Sequence, residues 1–473
     1  MMRDMKLFLA GGWEDGDGEI VVRSPWDGTT VSHVARAGPP ALERAAVAAA
    51  KAAPEMSALS AEKRAAILEA ARADLLDRKE EVACTIVEEA GKPISLARGE
   101  VDRAADTLLA AAHVARFPEL VARDLSGFAS GAGRIALTKR VPVGPVLAIT
   151  PFNFPLNLVA HKLAPAVAAG CPVVLKPASQ TPSAALLLAA SLQRAGLPDG
   201  ALSVVPSRAA DAEGLVPDPR FALLSFTGSA EVGLALRQKA RGHRVTLELG
   251  GNAAVIVEPD WADLPDAARR IAAAAFAWAG QSCISVQRVL VHRDVAVRFR
   301  KLLVDATRGF PKGDPSLPST LCGPMIDSAN RDRVLQWIGS ARKAGGALLA
   351  GGTAEGSLMA PTLLENVPDE EPLVAGELFG PGAVLSAYDT FDEALARANS
   401  SRYGLQAGVF SNDVEKVRRA WETLEVGAVI QGDVPTWRSD PMPYGGVKAS
   451  GVGREGPASA FLEMTEERML VLC

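Results

Sequence analysis

Val146-Leu147-Ala148-Ile149-Thr150, Pro172-Val173-Val174-Leu175 and Leu202-Ser203-Val204-Val205 are three short apolar runs, separated by the helical stretches 158–169 and 184–195. That rhythm is a βαβ series, which predicts a parallel sheet covered by helices. Leu223-Leu224-Ser225-Phe226 extends the series and runs into Thr227-Gly228-Ser229 and a helix through Lys239. Backbone N–H groups at such a helix start can receive a phosphate, so this turn is a candidate nucleotide site. A second α/β series begins at Ala253 and passes through the helix 267–279 and the strand Val289-Leu290-Val291 to helices at 332–344 and 392–399. The composition shifts near Gly250-Gly251, a candidate domain boundary.

Before the first series, 39–122 is rich in Ala, Leu, Glu and Arg with apolar residues three or four apart, predicting several amphipathic helices broken at Gly91-Lys92-Pro93 and Phe117-Pro118. The alternating segment 134–141 reads as an exposed strand, and 467–473 as another with no obvious local mate. Together they suggest an arm that pairs with a neighbouring subunit, giving a homodimer or homotetramer.

A chain of 473 residues exceeds a single small module. Its 50 basic and 55 acidic residues are mixed along the sequence, net −5, with neither the basic stripe that would recruit nucleic acid nor a polybasic tail for membrane. The five cysteines are scattered, odd in number and free of CxxC spacing, which argues against disulfides and zinc and for a reducing compartment. The start is too short in apolar residues for a signal segment, so a cytoplasmic location and a small-molecule substrate are expected.

Three residues could carry chemistry. Cys283 lies in Gly280-Gln281-Ser282-Cys283-Ile284-Ser285 among small residues that would leave its sulfur reachable. It is either a packed structural thiol or a nucleophile, and the second needs a base or a lowered pKa. Glu248 ends the apolar run 245–249 before Gly250-Gly251, either paired with an arginine or held as a general base with a raised pKa. Asn153, in Pro151-Phe152-Asn153-Phe154-Pro155, is either a turn former or an amide donor to developing negative charge.

In this combination the chain resembles the aldehyde dehydrogenase superfamily over almost its whole length. The resemblance rests on ordered segments: 150–155, Leu175-Lys176-Pro177-Ala178, Phe226-Thr227-Gly228-Ser229, 248–252, 280–283, Glu377-Leu378-Phe379-Gly380-Pro381 and Pro443-Tyr444-Gly445-Gly446-Val447-Lys448. It implies an α/β fold with a Rossmann-like cofactor domain (1–126 and 143–250), an α/β catalytic domain (251–441) and a strand arm for oligomerisation (127–142 and 455–473). It also implies roles. Cys283 would attack the aldehyde, and Asn153 with the Cys283 backbone N–H would hold the oxyanion. Hydride would pass to a nicotinamide, and Glu248 would activate water against the thioester.

For the cofactor the resemblance assigns Lys176 to the adenosine ribose, Ser229 to the pyrophosphate, and Glu377 and Phe379 to the nicotinamide side. Thr150, Pro151, Phe152, Ser179, Ser207, Phe226, Thr227, Gly228, Val232 and Leu249 complete that set. For Lys176 the plain alternative is a solvated lysine, and for Phe379 core packing. Members preferring NAD resemble Lys-Pro-x-Glu, whereas this chain has Lys176-Pro177-Ala178-Ser179. Without that carboxylate a 2′-phosphate is not repelled, so NADP acceptance is expected as well as NAD. A second departure is Ser207 where glycine often stands.

The Cys283 segment, His161-Lys162 and 436–443 resemble the branch acting on lactaldehyde, phosphonoacetaldehyde and glyceraldehyde 3-phosphate. Phe154, Ser282 and Ile284 would line the substrate tunnel with Arg103 and Arg438, which together could hold an anionic tail. Their alternatives are an ion pair of Arg103 with Glu100 or Asp106 and a turn contact of Arg438 with Asp440; Arg288 reads as structural. Transfer of the acyl group to CoA, or a catalytically silent scaffold, are the rival functions.

Overall fold

The computed structural model describes residues 3–473. The βαβ series forms the centre of an eight-stranded sheet in which Arg244–Glu248, Leu223–Thr227, Val146–Ile149, Val173–Lys176 and Leu202–Val204 lie side by side and parallel. The chain enters at Val146–Ile149, moves outward through Val173–Lys176 and Leu202–Val204, then returns to the other flank with Leu223–Thr227. That reversal is a topological switch point, and the crevice beyond the carboxyl ends of the strands is where such sheets take ligands. The loop 150–156 and the turn Gly228-Ser229 both open onto it.

A second, seven-stranded sheet starts at Ala253–Val257, flanked in parallel by Val286–His292 and Gln406–Phe410. Only Leu249 to Asn252 separate it from the first sheet, so the carboxyl end of Arg244–Glu248 meets the amino ends of Ala253–Val257 and Val286–His292. A cleft between two sheets end to end follows from that short link.

The predicted helices are Pro39–Ala58, Ala61–Asp77, Lys79–Ala90 and Ile94–Arg116, interrupted at the expected Gly91-Lys92-Pro93. Gly91 ends its helix in the left-handed conformation, and Pro93 precedes the next one. Alanines on Ala61–Asp77 and Ile94–Arg116 let the two backbones approach, and Leu68, Leu75 and Leu108 are fully buried among them, each contributing roughly 1.5–3 kcal/mol. The buried helix Asn157–Ala169 packs beneath, carrying His161 and Lys162 into the interior.

The two arm strands do have local mates. Thr465–Leu472 pairs antiparallel with Ile135–Pro142, and Leu120–Asp124 joins the same sheet from a segment read above as helical. Pro118 and the exposed side chains of 120–124 explain that strand, since no apolar face remains to dock a helix. Among the described residues no helix is long and apolar enough to cross a membrane.

Candidate active site

Cys283 follows a tight turn. Helix Leu264–Phe276 ends, and Trp278, Ala279 and Gly280 then take positive φ values of 55°, 51° and 63°. Two non-glycine residues in that region cost of order 1–3 kcal/mol each, so the surroundings must hold them. They do: the Trp278 N–H donates to the Leu321 carbonyl at 2.8 Å and its indole N–H to the Asn153 carbonyl at 2.9 Å. Across the cleft, a Cβ on Gly251 would fall 1.9 Å from the Cys283 carbonyl oxygen, so only glycine lets the inter-sheet link pass this close. The Cys283 sulfur is half-buried and lies 3.2 Å from the Tyr444 hydroxyl. Burial pushes the thiol up to about 12, against the smaller downward pull of that hydrogen bond. At neutral pH it is a thiol, and its attack needs the proton removed.

Asn153 is buried beside it. Its side-chain N–H donates to the Gln281 carbonyl at 3.0 Å, which leaves the second N–H of the same amide free. Glu248, at the carboxyl end of its strand, is also buried, and neither carboxyl oxygen has a partner. Gly445 supplies the space, because a Cβ there would lie 2.8 Å from Glu248 Oε1. Burial first and the nearby Glu455 second push Glu248 well above the ordinary carboxylate range. Burial is the largest single influence on Glu455 too, but Lys162, paired with it at 2.9 Å, together with His161 and Arg438 outweighs it and holds that carboxyl low. Of the two readings of Glu248, the arginine-paired one is excluded by geometry.

The crevice at the switch point adjoins this cluster. Thr227, Gly228, Ser229, Leu249 and Glu377 share with Cys283 one cavity of about 1140 Å³, whose wall also holds Pro151, Phe152, Phe154 and Phe379. Ser229 caps helix Ala230–Lys239, accepting from Val232 N–H, and leaves first-turn N–H groups facing the crevice. Glu377 accepts the Gly251 N–H at 3.0 Å, and burial raises its carboxyl to about 7. Phe379, at φ 47°, sets its ring edge-on to Phe152 at 5.9 Å. These groups fit a dinucleotide.

Several expected cofactor residues lie off that wall. Thr150 is buried by its bond to the Lys176 carbonyl, Phe226 sits under Gly228 as a packing platform, and the Val232 side chain is exposed. Lys176 donates only to the Pro177 carbonyl and, among the described residues, has no carboxylate in ion-pair range. Ser179 donates to the Ser207 carbonyl at 3.5 Å. Ser207 is fully buried with its hydroxyl unpartnered, so it shapes the loop from behind.

The two arginines differ in occupation. Arg103 pairs with neither Glu100 nor Asp106: its guanidinium makes two 2.9 Å bonds to Asp440, which also accepts from Asn157 at 3.1 Å and bonds His161 at 2.8 Å. Arg103 therefore latches the loop 433–442 to helix Ile94–Arg116. Arg438 is 3.9 Å from that saturated Asp440, touches His161 at 3.1 Å, and keeps its Nε unpartnered. Its guanidinium lies 3.7 Å above the Tyr444 ring, inside the cavity wall. Arg288 is structural as expected, donating to the Asn252, Arg397 and Ala398 carbonyls.

The sequence pattern of the Aldehyde dehydrogenase family matches residues 13–470. The chain belongs to the aldehyde dehydrogenase family. It is 42% identical over 467 residues to the 3-sulfolactaldehyde dehydrogenase of Priestia aryabhattai, covering 98% of this chain and 97% of that one. Aldehyde dehydrogenase 21 from Physcomitrella patens, solved with the reaction product succinate, superposes with a TM-score of 0.96 at 40% identity, covering 100% of this chain and 98% of that chain. The NADP-dependent glyceraldehyde-3-phosphate dehydrogenase from Bacillus halodurans, solved with NADP, gives 0.96 at 32% identity and 99% of each chain.

In this aldehyde dehydrogenase the sequence reading left out Lys92, Trp278, Tyr444, Glu455 and the role of Asp440. Tyr444 carried a signal, being one of three tyrosines in the chain and lying in Pro443-Tyr444-Gly445-Gly446. Lys92 was visible only as part of a helix break. Glu455 has no local pattern, because its meaning comes from Lys162, which is far away in sequence.

Proposed function

We propose that this aldehyde dehydrogenase oxidises a short aldehyde carrying an anionic tail to the carboxylic acid, using NADP as well as NAD, through a covalent bond to Cys283. The observation that carries the reading is the grouping in one cavity of a half-exposed thiol, a buried amide donor, a buried carboxyl without partners and an arginine that no carboxylate holds within hydrogen-bond distance.

The Cys283 sulfur bonds to the aldehyde carbon, and the proton it gives up ends on the former carbonyl oxygen. As negative charge develops there, the free Asn153 N–H and the Cys283 backbone N–H hold it, a contribution of several kcal/mol. A nicotinamide, when bound, would supply the hydride acceptor for that carbon, with the hydroxyl proton lost to solvent as the thioester forms; Ser229, Glu377 and Phe379 would hold it. Glu248 then takes a proton from water as the oxygen attacks the thioester carbon, so the acid leaves and the thiol is restored. Two unpartnered carboxyl oxygens suit that task, since nothing but water competes for them.

Arg438 supports the tail, because its guanidinium charge lies in the cavity wall while Asp440 is already taken up by Arg103, Asn157 and His161. The names of the relatives fit: one oxidises sulfolactaldehyde and another was solved with succinate. Ser179 and the unpaired Lys176 support NADP. The apolar arm residues Ile135 and Met469 to Leu472 are exposed, which supports a dimer or tetramer built on that sheet. The division into a cofactor domain to residue 250 and a catalytic domain from 251 rests on the two sheets.

The test is an aldehyde panel with sulfonate, carboxylate, phosphate and neutral members, assayed separately with NAD and NADP by reduced cofactor. Anionic members should lead in kcat/KM, and the rate should ignore added CoA. Preference for neutral aldehydes, or a CoA requirement, would overturn the reading.

A further inference from the structure

Lys92, Arg103, Arg333, Arg402 and Arg438 all line the cavity; Arg103 is taken up by Asp440, and the most deeply buried of the five is Lys92. It is 1% exposed, and its ammonium is fully committed. One N–H goes to Glu100, one to the Asn153 carbonyl at 3.1 Å, and the charge sits 3.6 Å from the centre of the Phe154 ring. No donor remains for a substrate.

We infer that Lys92 is a positioning residue for the oxyanion donor: with the Trp278 indole it fixes the Asn153 main chain, so that the free side-chain N–H faces the carbon bound to Cys283. The inference rests on the assignment of Asn153 as that donor. The Asn153 carbonyl is gripped from two directions, by Lys92 from the helix break and by Trp278 from the strained turn that leads to Cys283. Glu100 completes the clamp, since its other oxygen accepts the N–H groups of Leu156 and Asn157 at 2.9 and 3.1 Å. The loop 153–157 is thereby held at both ends by one buried ion pair, and by the same turn that places the nucleophile.

Stability alone does not explain such a pair. Desolvating two charges offsets most of their attraction, and apolar residues of similar size often serve as well. Burial lowers the Lys92 ammonium to about 8 even with Glu100 beside it, so its surroundings disfavour a cation. What an apolar pair cannot do is donate to a carbonyl. Displacing a reacting group by about 1 Å can cost about 10²-fold in rate, so a fixed carbonyl has a catalytic return.

The experiment compares Lys92→Met, Trp278→Phe, Asn153→Ala and the Lys92→Met/Asn153→Ala double variant in the full-length enzyme. Four readouts are taken: kcat, KM for the aldehyde, cofactor affinity by tryptophan fluorescence, and the rate of inactivation by iodoacetamide. Lys92→Met should lower kcat by about 10²-fold, the scale of losing an oxyanion donor, with KM and cofactor affinity within about twofold. Iodoacetamide should inactivate it at the unaltered rate, because displacement of iodide develops no oxyanion. The double variant should be no slower than Asn153→Ala alone. Losses that multiply, an unaltered kcat, or a slowed alkylation would overturn the inference. Should Lys92→Met fail to fold, Trp278→Phe removes the other donor to the same carbonyl and must show the same split. If Asn153→Ala keeps full kcat, the oxyanion assignment itself has failed, and that result is distinct from a Lys92→Met that alone is silent.

Discussion

Arg438→Met separates recognition of the tail from the chemistry at Cys283. Methionine keeps an apolar stem over the Tyr444 ring and removes only the charge. Asp440 is not orphaned, since Arg103, Asn157 and His161 still hold it, so the loop 433–442 should stay closed. What is lost is a guanidinium in the cavity wall that no carboxylate holds within hydrogen-bond distance. A hydrogen bond to an ionised group is worth about 1.5–3 kcal/mol, and about 1.4 kcal/mol is a factor of ten. The side chain is 6% exposed, so little solvent screening reduces that figure. A loss of about 2 kcal/mol, roughly 30-fold in kcat/KM, is expected for succinic semialdehyde and carried mainly by KM. Butanal, of equal length without charge, should change by no more than about twofold. Reduced cofactor is followed at 340 nm, roughly the nicotinamide absorbance maximum, at low and high salt, and the charged substrate should lose its salt dependence in the variant. Equal losses for both aldehydes would refute the reasoning and place Arg438 behind Tyr444 and the thiol instead of at the tail.

Cys283→Ala should abolish turnover and leave cofactor binding intact, as read by fluorescence titration; surviving dehydrogenase activity would sink the covalent route. Glu248→Gln should release one equivalent of reduced cofactor per site and then stall as thioester, which rapid-quench mass spectrometry would detect; continued turnover assigns the base elsewhere. Because the folded-state value of Glu248 is raised, the wild type should also lose stability relative to Glu248→Gln as pH climbs above the ordinary carboxylate value, by up to about 1.4 kcal/mol per pH unit until the folded group ionises. Parallel melting curves from pH 5 to pH 8 would contradict that. Ser179→Glu should lower the NADP/NAD efficiency ratio about tenfold or more, by placing a carboxylate against the 2′-phosphate. An unmoved ratio would show that Ser179 does not face the adenosine ribose.

The fold was legible because its signals are local. Apolar runs of four or five residues, alternating with helical stretches, place the parallel strands to within a residue or two, and Gly91 and Pro93 end and start helices by their own backbone restrictions. The strand Leu120–Asp124 was misread because its composition continues that of the helices, and only Pro118 and the pairing with Ile135–Pro142 redirect it. At the site the same division holds. Cys283, Glu248 and Asn153 stand in distinctive local settings, whereas Arg103 was expected at an anionic tail, with a pair along its own helix as the alternative, and instead reaches Asp440, 337 residues away. Side-chain spacing on a helix predicts which partners are within reach, but a buried loop carboxylate with several donors outbids a solvated neighbour.

That bias toward distant partners also explains how two carboxyls in one site come to differ. Glu248 and Glu455 are both buried, so both would hold their protons if burial alone decided. Lys162 breaks the symmetry, because it reaches Glu455 from the interior helix and donates to Ser225 as well, but makes no bond to Glu248. Glu455 is therefore held low, with His161 and Arg438 adding to Lys162, and its charge is the second cause, after burial, that raises Glu248. Two acids set apart in this way divide the labour of acid and base. The raised Glu248 favours the uncharged carboxyl, which would spare the cavity a negative charge beside the anionic aldehyde proposed as substrate. The same carboxyl must ionise before it can take a proton from water, so its raised value trades readiness for hydrolysis against tolerance of an anionic substrate. A neutral replacement at Glu455 should shift the acid limb of the hydrolytic rate to lower pH.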